Sequence, residues 1–408
     1  MKKALFVAYG GAHVAMVVPV VEELRRRGTW DVVVLGLTTA RAALDRAGIP
    51  SLGFKDLAGP GDAEALALGA ELARAHHRDG VGVSREESTA YLGLSYADLR
   101  ARVGADAAKR LLDERGRRAF LPLGPLHALI ERSRPDVVVA TNSPRSEEAA
   151  LRAARARSVP AVCLVPFASP DLMERDTVSA HANVPGFADR TLVFSEDVRR
   201  WLLDRGHAPA SVVVTGNPAF ESLGDPSLPG RAAAWRRARG LDGRRLLLWA
   251  SSPEPERPAL IDEITRSLIA ALDRHPDWHL LHRRHPSEAP PAAPYPPRAE
   301  AGDPKEPLDV LLHAADVVIV TVSTVGMEAA LAGKPLVKAR MSSMDAISPY
   351  EAMGVALPAP DLASLEDRVV RALADGPDAR ALADARRRYP PVAGASKRVA
   401  DVLEALTS

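Results

Sequence analysis

Residues 317–335 read VVIVTVSTVGMEAALAGKP. A β-branched run ends at Thr321, small and hydroxyl residues follow at Ser323, Thr324 and Gly326, and a helical pattern opens with Glu328 in its first turn. A strand, a tight turn and a helix N-terminus in that order suit an anion. The first-turn N–H groups have no partner inside the helix, and the helix dipole favours negative charge beside them. Glu328 would then offer two acceptor oxygens to ribose hydroxyls next to a phosphate. The same letters also describe an ordinary strand-to-helix turn capped by Ser or Thr. His13 is the second chemical candidate. It follows Gly10 and Gly11 at the end of an apolar run, which places it at the carboxyl end of a first strand, where open α/β sheets bind ligands. Imidazole titrates near operating pH, so His13 can take a proton from a hydroxyl as it attacks. Gly10 and Gly11 would let backbone amides come close to phosphates. The plainer alternative makes His13 a polar helix-start residue with no chemistry.

These candidates need a frame, and the chain supplies one. Its 408 residues suggest two domains. Composition is that of an ordinary soluble enzyme, 47% hydrophobic and 26% charged. A net charge of +1 argues against a polyanion partner, and 4% aromatics against a base-stacking surface, so no nucleic-acid partner is expected. The single cysteine, Cys163, lies in an apolar run and rules out an intrachain disulfide or a cysteine-rich zinc site. The two lysines before the first apolar stretch mimic a signal peptide, but that stretch breaks at Gly10-Gly11. No run has the length of a membrane span. A cytoplasmic enzyme is the expectation, with peripheral membrane contact through its acceptor left open.

Short apolar runs at residues 5–9, 31–37, 51–54, 136–141, 161–165 and 191–194 alternate with helical patterns. Such alternation predicts a parallel sheet covered on both faces, wound by right-handed crossovers. Residues 62–132 depart from it. They are mostly helical, loosely punctuated at Gly80, Val81, Gly82 and Gly104, and read as an insertion that shapes a pocket or a contact. The second half repeats the α/β theme, with strands at 246–250 and 278–283, a Pro-rich loop over 289–307, and helices at 362–374 and 377–388. Expected domains are 1–214, with the helical insertion, and 215–390. A final helix in 391–408 would cross back onto the first. The fold class is therefore α/β, two doubly wound Rossmann-like domains facing across a cleft, hinged near Thr215-Gly216-Asn217-Pro218.

The residues also resemble a known superfamily. Gly10-Gly11-Ala12-His13-Val14, followed by a helix ending Glu22-Glu23-Leu24-Arg25-Arg26-Arg27-Gly28, looks like the N-terminus of GT-B glycosyltransferases, among them the peptidoglycan N-acetylglucosaminyltransferase. Val214-Thr215-Gly216-Asn217-Pro218 is similar to the interdomain turn of UDP-N-acetylglucosamine 2-epimerases, and residues 323–335 resemble the nucleotide-sugar site of both groups. Arg284-His285-Pro286 resembles a turn of capsule-type sialyl- and glycerophosphotransferases. The resemblance implies a donor nucleotide on the C-terminal domain, with Ser323, Thr324 and Gly326 at the diphosphate, Glu328 at the ribose and His285 donating a ring N–H to a phosphate. Arg283 or Arg284 would neutralise the leaving group; adjacent strand residues face opposite ways, so one of them does so. His13 would be the base of an inverting, metal-independent transfer from a UDP- or CMP-activated sugar to a hydroxyl acceptor, in cell-surface glycan or secondary-metabolite biosynthesis. No cofactor is implied beyond the nucleotide sugar itself. One departure touches His13: relatives commonly carry proline three residues later, and here Pro19 is six away.

An epimerase reading competes, because the same fold serves both. Epimerases usually carry a His-Arg-x-Glu motif after the first strand of the second domain, where this chain has Ser251-Ser252-Pro253-Glu254, and an arginine in the N-terminal loop, where it has Gly11-Ala12-His13. A non-catalytic nucleotide-sugar-binding role is the third reading. His275, His279, His282 and His285 are spaced like helix-borne metal ligands, but Pro276 and the strand pattern from Trp278 break that helix, so no metal site is expected. The sugar, the base and the acceptor are not legible.

Overall fold

The computed structural model describes every residue except 78–81, 176–178, 289–290 and 292–293. Gly80, Val81 and part of the Pro-rich segment therefore lie outside the described residues. The chain divides into two compact units, Met1–Glu221 with Gly394–Ser408, and Ser222–Ala393. The first unit thus runs past the turn at Gly216 before the second begins.

The first unit opens with β1 (Lys2–Ala8) and α1 (Ala12–Arg27). Next come β2 (Trp30–Gly36) and α2 (Ala40–Arg46). A helical insertion holds α3 (Ala63–His76), α4 (Arg85–Val103) and α5 (Ala105–Arg115), and α6 (Leu123–Ser133) returns the chain to the sheet. The sheet resumes with β3 (Val137–Thr141), α7 (Ser146–Ala156), β4 (Ala161–Leu164), α8 (Pro170–Arg175), β5 (Arg190–Val193), α9 (Glu196–Asp204) and β6 (Val212–Val214). Among the described residues these strands form one six-stranded sheet in the order β2-β1-β3-β4-β5-β6, every pair parallel. Leu5, Phe6, Val7 and Ala8 alternate faces yet are all fully buried. That pattern belongs to a strand covered on both sides, which is why the run reads as continuously apolar.

The second unit holds α10 (Leu228–Ala238), β7 (Arg245–Ala250), α11 (Leu260–Ala271) and β8 (Trp278–Arg283). It continues with β9 (Ala299–Ala301), α12 (Leu308–Ala314), β10 (Val317–Val320), α13 (Val325–Leu331) and β11 (Leu336–Ala339). It ends with β12 (Leu357–Ala359), α14 (Leu362–Leu373) and α15 (Pro377–Arg386). Among the described residues its sheet is also six-stranded and parallel, ordered β12-β11-β10-β7-β8-β9. Both units are Rossmann-like. The last helix, α16 (Ala395–Leu406), belongs to the first unit, where it packs on α1. Arg27 ties it down through Asp401 at 2.7 Å and Glu404 at 2.9 Å.

Two local expectations are corrected. Residues 51–54 are not a strand: Leu52 makes a single bridge to Leu35, and Phe54–Asp56 forms a 3-10 turn. The buried Glu87 carboxylate takes the N–H groups of Phe54 at 2.6 Å and Lys55 at 3.2 Å, donors a sheet ladder would otherwise use. The Pro-rich segment in turn contains β9, an edge strand that among the described residues pairs only with β8. An edge position tolerates nearby prolines, because one side of the strand needs no donors. Among the described residues no helix is long and apolar enough to cross a membrane.

Candidate active site

In each sheet the strand order places a crevice. Connections leave β1 toward β2 and later return to β3 on its other side, so a switch point lies between β1 and β3. The second sheet has the equivalent point between β7 and β10. His13 follows β1, and Ser323 follows β10.

In the first unit, the turn after β1 is tight. An ideal Cβ on Gly10 would lie 1.8 Å from Thr39 Oγ1, so the second helix's leading residues press directly on this glycine. Gly11 has φ +67°, a conformation glycine adopts without cost. The demand at Gly10 is thus a close approach to Thr39. His13, half-buried near the start of α1, has Nδ1 2.6 Å from Thr141 Oγ1 at the end of β3. The Thr141 hydroxyl donates to Glu147 Oε2 in the first turn of α7. Glu147 also accepts from the Tyr9 N–H at 2.6 Å and the Ser143 N–H at 3.3 Å. It is fully buried, and burial pushes its carboxyl up to about 7 against the pull of these donors. With Glu147 ionised, the hydrogen-bond network sets the tautomer. A threonine hydroxyl has one proton, and here it goes to the carboxylate. Its oxygen must then accept from His13 Nδ1–H, which leaves the lone pair on Nε2.

Sequence reasoning missed Thr141, Glu147 and Arg145. A signal was present: Thr141-Asn142-Ser143 closes a strand, and Ser146-Glu147-Glu148 opens a helix, the pattern already read at 321–328. Arg145 sits between them with φ +71°, left-handed and strained for an arginine. Its guanidinium lies 5.2 Å from the Tyr9 ring centroid, and Nη1 reaches the Tyr91 hydroxyl at 3.5 Å. Tyr9, Gly10, His13, Tyr91 and Arg145 all line one cavity of about 610 Å³ within this unit. That volume suits a small organic molecule.

In the second unit, α13 has only seven residues, so its dipole is short. The Gly326 and Met327 N–H groups donate at 3.0 Å to the carbonyls of Ser323 and Thr324. Val325 N–H donates to Ser323 Oγ at 3.3 Å. Among the described residues, the amides left for a ligand at this turn are those of Ser323 and Thr324. Gly326 has a different reason for being glycine. An ideal Cβ there would stand 2.4 Å from Tyr350 Cε2, and the Tyr350 hydroxyl donates to the Ser323 carbonyl at 2.6 Å. Its N–H and its missing side chain are thus both engaged within the protein. Glu328 is half-buried; burial pushes it up to about 7, and the Arg283 charge draws it back. Arg283 lies on that side of the sheet end and donates to the Glu306 carbonyl at 3.0 Å. Its neighbour Arg284 turns to Glu288, 3.7 Å away. His285 is exposed. Its Nδ1 accepts the Ser287 N–H at 3.2 Å, which puts the ring proton on Nε2, the form that can donate to a phosphate.

The loop after β7 is tied inward. The Ser252 hydroxyl donates to the Val322 carbonyl at 3.0 Å, and buried Glu254 accepts from Ser342 at 2.7 Å. Buried His282 lies between Ser251 Oγ at 2.9 Å and the Tyr295 hydroxyl at 2.7 Å, stacked on Trp249. Burial and the Arg284 charge press it down to about 3, so it is neutral. His275 stacks on Trp278 and pairs with Glu366, while His279 pairs with Glu300. The four histidines do not converge. Among the described residues no group of three or more His, Cys, Asp or Glu is placed to hold a metal ion.

Solved structures of the same architecture span essentially the whole chain. A UDP-GlcNAc 2-epimerase from Neisseria meningitidis, bound to UDP-GlcNAc, matches with TM-score 0.62 and 15% identity over 99% of this chain and 100% of its own. The UDP-GlcNAc 2-epimerase of Methanocaldococcus jannaschii matches with TM-score 0.61 and 11% identity over 99% and 100%. The calicheamicin glycosyltransferase matches with TM-score 0.60 and 19% identity over 100% and 98%. The chain has the GT-B fold. No protein-family description matches the sequence, and no curated protein does. GT-B architecture is thus shared with transferases and epimerases alike, and the site residues must separate them.

Proposed function

We propose that this chain is an inverting, metal-independent glycosyltransferase that uses a UDP- or CMP-activated sugar and a hydroxyl acceptor. The observation that carries the reading is the chain His13–Thr141–Glu147 at the wall of the first unit's cavity. It holds an imidazole lone pair at Nε2, backed by a buried carboxylate that stabilises the imidazolium once formed. Thr141 and Glu147 are positioning residues; His13 is the base. As the acceptor oxygen bonds to the anomeric carbon, the bond from that carbon to the phosphate oxygen breaks. The acceptor proton passes to Nε2, and the nucleotide leaves with the bonding pair. In the second unit the amides of Ser323 and Thr324, Arg283 and His285 would meet the phosphate, and Glu328 the ribose.

Two features weigh against epimerisation. At the loop where the resemblance to epimerases implies a His-Arg-x-Glu motif, the chain has Ser251, Ser252 and Glu254, each engaged in an internal bond. Where that resemblance implies an N-terminal arginine, it has His13.

Acceptor-dependent release of nucleotide from a panel of nucleotide sugars tests the reading, with EDTA present. His13→Ala should lower kcat by roughly 10²–10⁴-fold. Thr141→Val should lower it roughly ten- to a hundredfold and shift the pH profile, and Thr141→Ser should restore both. Deuterium appearing at C2 of UDP-GlcNAc during incubation in D2O, with no acceptor consumed, would establish the epimerase instead.

A further inference from the structure

The charge around the first unit's cavity is lopsided. Arg117 and Arg145 both line it, and among the described residues neither forms an ion pair with a carboxylate. Among the described residues the one acidic residue in the lining is Glu87, and its oxygens are occupied by the Phe54 and Lys55 N–H groups. Glu147 lies behind the wall, its carboxylate already bound by Thr141, Tyr9 and Ser143. Two guanidinium groups thus face a cavity whose other walls include the aromatic rings of Tyr9, Phe54 and Tyr91. Arg145 is moreover held at φ +71°, where glycine would be relaxed. A strained arginine that persists beside a cavity, with its head group over one ring and against a second phenol, is a fixed guanidinium rather than a solvated surface charge.

We infer that the acceptor is a hydroxylated aromatic or similarly flat apolar molecule carrying an anionic group, carboxylate or phosphate, gripped by Arg145 and Arg117. The inference rests on the cavity being the acceptor site of the transfer proposed above. The rings take the apolar body, the guanidinium forks take the anion, and the hydroxyl is left to His13. Binding, measured without any nucleotide, keeps the two readings separable.

The experiment titrates the whole protein with 6-hydroxy-2-naphthoate, 6-hydroxy-2-naphthyl phosphate and the neutral methyl ester of the naphthoate, following ligand fluorescence. At least one anion should bind about tenfold or more tightly than the ester, and the tighter of the two names the group recognised. Arg117→Gln with Arg145→Gly should bring the ratio close to one. Arg145→Gly relaxes the backbone at that position, so loss of fold is not the expected cause. A thermal melt matching wild type checks this, and Arg117→Gln alone, at an exposed position, should already lower the ratio. Equal binding of anions and ester, binding of none of the three, or a preference that survives in the double variant overturns the inference. If the preference holds but no nucleotide sugar is consumed, the anion site stands and the transfer reading falls. If transfer proceeds equally well to the ester, the reverse is true.

Discussion

At the scale of residues, one buried carboxylate organises the first site. Glu147 titrates near pH 7 in the fold against an ordinary value of 4.5, because burial penalises its charge. Its folded value is raised, so the stabilising effect of its proton is complete below about pH 4.5 and is lost as pH rises through about 7. Above that, holding the charge inside costs up to about 3 kcal/mol. Glu147→Gln should therefore raise stability toward urea at pH 8 and change little at pH 4.5, while lowering kcat because the imidazolium loses its counter-charge. Unfolding curves at the two pH values check the first part; a loss of stability at pH 8 would contradict it. His13 was legible because Gly10-Gly11 punctuates a strand end, which is local information. Its partner Thr141 lies 128 residues away and meets it only through the pairing of β1 with β3. Gly326 shows a different dependence on distant chain. Its motif suggested a ligand, while the reason for the glycine is the ring of Tyr350.

At the scale of elements, the helical insertion supplies one side of the cavity, and its geometry depends on two glycines. A Cβ on Gly69 would fall 2.1 Å from the Thr89 carbonyl oxygen, and one on Gly93 2.1 Å from that of Ala65. Both clashes are with backbone, so α3 and α4 cross at near contact and cannot yield by a rotamer change. Gly93→Ala should cost about 1–3 kcal/mol or more. Because Tyr91 and Glu87 ride on α4, it should also weaken ligand binding in the cavity out of proportion to the change in stability. Chemical denaturation together with the naphthoate titration checks both; unchanged stability would mean that the helices part freely. The helices of the insertion were readable from their period, but their crossing was not. A glycine inside a helical pattern looks like a weakness until its partner helix is known. The misread strand at 51–54 has a similar origin: its amides go to Glu87, a residue on α4.

At the scale of the whole molecule, alternation of apolar runs with helices made the two parallel sheets legible, since a strand buried on both faces needs an unbroken apolar run. Strand order was not legible. It depends on which side each crossover takes, and it is the order that puts His13 beside Thr141 and residues 321–328 beside the β7 loop. The chain's end also matters to its beginning. Val399, Ala400 and Leu403 are fully buried in the first unit, and Arg27 holds Asp401 and Glu404. Removing residues 394–408 should strip that apolar cover from α1 and lower the midpoint of the transition reported by the first unit, leaving the second unit's transition in place. Calorimetric scans of the shortened and full chains check this, and coincident scans would contradict it. Nucleotide-sugar chemistry is open to a single decisive measurement, calorimetric titration with UDP, CMP, GDP and TDP, with and without Mg²⁺. One of them should bind without the metal, and Glu328→Ala should weaken it about tenfold, roughly the loss of one charge-assisted hydrogen-bond pair. Absence of binding by all four, or affinity untouched by Glu328→Ala, would contradict it.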